Sequence, residues 1–77
     1  MIVVAARGSD MGAIWMDAQS ACVSQRTMQA VRVPVAGQNV VCVCGPYCEN
    51  YNTSLFHCIG FALDHGDEIR RQIRLSH

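Results

Sequence analysis

Apolar residues fall in short bursts along this chain, and the spacing within each burst predicts an element. The clearest burst is Val40-Val41-Cys42-Val43-Cys44, a continuous run rich in β-branched residues that Gly45-Pro46 brings to a stop. A run of this length reads as a strand buried on both faces. Alternation places Val41 and Val43 on one face and Val40, Cys42 and Cys44 on the other. Upstream, Gln29 to Val35 alternates, with Val31, Val33 and Val35 toward one side and Arg32 and Pro34 toward the other. Pro34 has no N–H for a ladder, which confines this segment to an edge or a bulge. Ala36-Gly37-Gln38 is a tight connection, so Gln29 to Cys44 reads as a hairpin.

The N-terminal third is open to two readings. Ile2 to Ala6 is a short strand, and Gly8-Ser9-Asp10-Met11-Gly12 is a turn. Residues 13–23 form a helix if Ser9 is the N-cap and Met11, Trp15, Ala18 and Cys22 make the buried stripe. They form a strand if Ala13 to Asp17 pairs back on Ile2 to Arg7. Three bulky residues in a row, Ile14, Trp15 and Met16, suit the two faces of a sheet and favour a β-hairpin over residues 2–18. Ala21 to Thr27 is then a connection or a short strand.

Asn52, Thr53 and Ser54 offer capping oxygens to a helix from Ser54 to His65. Leu55, Ile59, Ala62 and Leu63 form its stripe, and Phe56 and Phe61 widen it, so this helix is expected to be deeply buried. Gly66 ends or kinks it. Asp67 to His77 makes a second amphipathic stretch on Ile69, Ile73 and Leu75. Its acids Asp67 and Glu68 come first and Arg70, Arg71 and Arg74 last, the order a helix dipole prefers. The fold class is α+β: a small antiparallel β-sheet of about three to five strands with one main C-terminal helix packed on one face, in a single domain over residues 1–77.

Composition sharpens this picture in two ways. A chain of 77 residues buries only about 60% of its unfolded surface. Yet 51% of its residues are hydrophobic and 16% charged, so apolar surface is left for a partner. A sheet apolar on both sides, with one helix to cover it, predicts that a second copy covers the rest, most simply as a twofold homodimer. Formal net charge is zero and every fixed cation is an arginine, which argues against general nucleic-acid binding. No segment reaches the roughly 20 apolar residues of a membrane span, and the N-terminus lacks a signal-peptide pattern. A cytoplasmic setting follows, in which the five cysteines are thiols.

Four constellations carry candidate chemistry. Cys42, Cys44 and Cys48, with one of His57, Cys58 or His65, are zinc-ligand types. Strand rise sets Cys42 and Cys44 about 6–7 Å apart, too far for one metal unless the strand bends, and buried thiols are the simpler reading. Cys48, in a polar loop ahead of a helix, is the candidate nucleophile, with His57 or His65 as base; an exposed loop thiol is the plainer alternative. Arg70, Arg71 and Arg74 form either an anion-binding patch or a solvated helix end. Tyr47 and Tyr51 flank Cys48 as recognition residues or as a seal between helix and sheet. Trp15 is assigned to the core or to a dimer interface.

Ala21-Cys22-Val23-Ser24-Gln25 resembles the strand–turn segment of small antitoxin proteins of the HicB type. That family places an amphipathic helix next, whereas Met28 to Val35 here reads as strand, so no family is assigned. The expected function is that of a small homo-oligomeric binding protein, adaptor-like or inhibitor-like and without catalytic activity or cofactor. Its size and composition match those of small proteins carried by phage or mobile elements. A small cysteine-dependent enzyme using Cys48, or a structural metal-binding protein, is the alternative.

Overall fold

The apolar run at residues 40–43 lies in the central strand of the sheet. The computed structural model describes residues 2–4, 12–27, 30–43 and 55–76, apart from the side chains of Val3 and of residues 55–59. These form β1 (Ile2–Val4), α1 (Gly12–Ser24), β2 (Ala30–Val35), β3 (Gln38–Val43) and α2 (Leu55–Leu75). The strands are ordered β1-β3-β2.

β2 and β3 form the expected hairpin, with Val35 opposite Gln38 and Val31 opposite Cys42. Ala36 and Gly37 both have positive φ, 50° and 76°, as a two-residue type I′ connection requires. β2 is an edge strand, as Pro34 demands. The closing pair of such a hairpin is hydrogen-bonded and pairs alternate from there, so the position of Pro34 faces the open edge and its missing N–H blunts that edge.

The sheet is mixed, not antiparallel: β1 runs parallel to β3, in the register Ile2–Val40 and Val4–Cys42. Parallel neighbours need a crossover, and α1 lies within it. Residues 12–24 are therefore helix, not the second arm of a hairpin. Ile14, Ala18, Ala21 and Cys22, spaced i, i+4, i+7 and i+8, are its buried face. Of the three consecutive bulky residues, Ile14 points inward, Trp15 packs at the margin of the core and Met16 faces solvent. The strand reading assumed that all three needed cover.

α1 closes with a complete C-terminal motif. Thr27 N donates to Cys22 O at 2.9 Å and Arg26 N to Val23 O at 3.1 Å, with Arg26 in the left-handed region at φ 55°. The Ala21–Gln25 segment is thus helix and cap, which removes the strand–turn likeness to the HicB-type antitoxins.

α2 continues beyond the expected end at His65. The backbone departs from helical geometry there (φ −124°, ψ 19°), one residue before Gly66, and the helix resumes to Leu75. Beyond the kink, Ile69 and Ile73 enter the core while Leu75 is exposed. Before it, Ala62 is buried but Leu63 is 60% exposed, so this stretch is not apolar-covered all round.

α1 and the second half of α2 run in the same direction. Ile14 lies beside Gly66, Asp17 reaches Arg70 and Arg74, and Gln25 Nε2 donates to Ser76 O at 2.9 Å. Both helices share one core with Val4, Val31, Val33, Val35, Val40 and Cys42, so the sheet is covered by two helices and not by one. On the opposite face, Val41 and Val43 are only 7% and 1% exposed within the single chain. The double-sided burial of β3 holds, but it is met without a second copy.

Candidate functional site

The C-terminal arginines are the largest set of candidate residues within the described structure, and each is held by an acid. Arg70 Nε donates to Asp17 Oδ2 at 2.8 Å, and Arg74 Nη1 approaches the same oxygen at 3.4 Å. Arg71 grips Glu68 through two hydrogen bonds, Nε to Oε2 at 2.9 Å and Nη2 to Oε1 at 2.7 Å. Hydrogen bonds from Arg71, and then from Gln72, pull the Glu68 carboxyl down to about 2. Three cations thus meet two carboxylates in an ion-paired seam along the helices. Sequence reasoning missed Asp17. The available signal was that Asp17 is the sole charge in Gly12–Ser24, and a lone charge on a helix that packs at its flank needs a partner.

The cysteines divide. Cys42 sits on the inward face of β3, and burial pushes its thiol up to about 12. A thiol held protonated is a poor metal ligand and a poor nucleophile. Cys22, on the buried face of α1, is disulfide-bonded, and its partner lies outside the described residues. The expectation that all five cysteines are thiols is therefore corrected at Cys22. Tyr47, Tyr51, Cys44 and Cys48 lie outside the described residues, as do the side chains of His57 and Cys58. His65 is half-buried at the kink, with its ring 4.5 Å from that of Phe61. Among the described residues, no cluster of histidine, cysteine and acids is arranged to hold a metal ion.

Two shallow concavities flank the core. One, of about 390 Å³, follows the α2 kink along Leu63, Asp64, His65, Gly66, Asp67 and Glu68. The other, of about 420 Å³, lies on the outer face of the hairpin over Arg32, Pro34, Asn39 and Val41.

The outer face of α1 differs from both. Ala13, Met16, Ser20, Val23 and Ser24 are its exposed positions, and none carries a charge. Met16 and Val23, two turns apart on one side, are 66% and 70% exposed. Ser20 lies between them, and Gln19, Ser20, Val23 and Ser24 line a hollow of about 410 Å³. With Leu63 and Leu75 of α2, Met16 and Val23 are the large apolar side chains that stand exposed among the described residues.

No family model, curated protein or solved structure matches the chain. No described helix is long and apolar enough to cross a membrane.

Proposed function

We propose that the chain is a small non-catalytic interaction protein that self-associates through the outer face of α1. The observation that supports this reading is the pair Met16 and Val23, exposed together on a helix face with no charge. Large exposed apolar side chains on a small body favour association. An uncharged face meets its own copy across a twofold axis without like-charge repulsion, which favours a homodimer over a charged partner. The sheet no longer supports a dimer, because one chain already covers both sides of β3.

Light scattering across a concentration series tests the proposal. The wild-type mass should rise from 8.5 kDa toward twice that value. Met16→Glu and Val23→Glu leave the core untouched and should hold the protein at the monomer mass. A wild-type mass that never rises, or charged variants that associate as the wild type does, would refute it.

A further inference from the structure

We propose that the Cys22 disulfide is a permanent structural cross-link and that this chain acts in an oxidising compartment. The proposal is independent of self-association. Cys22 lies on the inward stripe of α1 with Ile14, Ala18 and Ala21 and is almost wholly buried. Two of those neighbours are alanines, which offer little apolar area. Polar contacts from α1 and its C-terminal cap to α2 and the residue after it include those of Asp17 with Arg70 and Arg74 and of Gln25 with Ser76, all at a partly exposed margin. A covalent tie at Cys22 therefore anchors the buried face of the helix, where two of the four inward side chains are alanines.

Two features slow the loss of the bond. Disulfide exchange needs a thiolate, and Cys42, the other described cysteine of this core, is kept protonated. Attack at the Cys22 sulfur has to come from beneath α1, so on that side of the bond the helix must lift and break its contacts with Arg70, Arg74 and Ser76 first. Formation is a single event: two thiols of the chain lose two protons and two electrons to a small-molecule or protein disulfide. One sulfur–sulfur bond forms, and the oxidant's own breaks and leaves as two thiols. Bonds of this kind persist where thiols are oxidised, which replaces the cytoplasmic setting expected from composition.

Tryptic mapping of the full chain tests this directly. Cleavage after Arg7, Arg26 and Arg32 leaves Cys22 alone in peptide 8–26, while Cys42, Cys44, Cys48 and Cys58 all fall in peptide 33–70. After refolding with glutathione disulfide and alkylation in denaturant, the two peptides should be recovered joined, with Cys22 unlabelled. Millimolar dithiothreitol should separate them slowly in native buffer and within minutes in guanidinium, and reduction should lower Tm. Cys42→Ala should retain the joined peptides. Cys22 alkylated before any reductant, equal reduction rates with and without denaturant, a Tm indifferent to reduction, or loss of the join in Cys42→Ala would each overturn the proposal.

Discussion

Arg70 Nε donates to Asp17 Oδ2 at 2.8 Å across 53 positions of chain, which ties the middle of α1 to the last turns of α2. Asp17 is 21% exposed and Arg70 36%, so the pair is neither buried nor fully screened. Ion pairs at such margins contribute up to about 1 kcal/mol. Asp17→Ala should lower stability by about 1 kcal/mol in urea unfolding at low salt, and by less at high salt. A double-mutant cycle with Arg70→Ala should return a coupling of about 0.5–1 kcal/mol, whereas Asp17 with Arg71 should return none. A cycle with no coupling at Arg70 would show the two side chains to be neighbours without an energetic link.

The kink at His65 divides α2 into parts with different energetics. Ile69 is fully buried among residues of both helices and the sheet, whereas Leu63 stands in solvent. Ile69→Ala should cost about 3 kcal/mol, since it removes buried methyl and methylene groups and leaves a cavity. Leu63→Ala should stay within about 0.5 kcal/mol of the wild type. Equal losses at the two positions, measured by chemical unfolding, would mean that Leu63 is covered in solution.

These contrasts show which parts of the fold were legible beforehand. The hairpin was, because two independent signals agreed there: alternation at Val31, Val33 and Val35, and a proline that only an edge accepts. The α2 break was also foreshadowed by Gly66, next to the residue that deviates. The first helix was not, because its stripe is written in small residues, Ala18 and Ala21, while its large ones, Met16 and Val23, face outward. Hydrophobicity read from side-chain size then points the wrong way. The parallel pairing of β1 was hidden for a different reason: a strand that joins the sheet beyond a crossover leaves no local mark. The arginines were visible as a cluster, but the pairing of Arg70 and Arg74 depends on Asp17, which only the tertiary packing brings near.

Two non-glycine residues hold left-handed backbone, Arg26 at the end of α1 and Ala36 in the hairpin turn. L side chains pay roughly 1 kcal/mol in this region, and glycine or asparagine relieves it. Both side chains are exposed, so replacing them disturbs little packing. Arg26→Gly and Ala36→Asn should each raise stability by about 0.5 kcal/mol, the relief being partly offset for glycine by its more flexible unfolded chain. Calorimetry of each variant decides it, and a fall in Tm for Ala36→Asn would contradict a type I′ turn.

Glu68 gives the fold a sensitivity to acid that can be assigned to one side chain. Hydrogen bonds from Arg71 and Gln72 hold its carboxyl at about 2, below the ordinary 4.5 that the unfolded chain recovers. A depressed carboxyl binds protons less readily in the folded state than in the unfolded one. Its contribution is therefore complete above about pH 4.5 and is lost progressively as pH falls toward 2. Because the group lies at the surface, water and salt screen it and the effect is small. Glu68→Gln cannot ionise and lacks this term at every pH. The difference in urea midpoint between wild type and Glu68→Gln should accordingly be constant above pH 5 and shrink steadily below pH 4.5. Carboxyl chemical shifts recorded over the same range should show Glu68 titrating well below the ordinary glutamate range. A midpoint difference that stays level down to pH 2 would mean that the Arg71–Glu68 contact does not persist in solution.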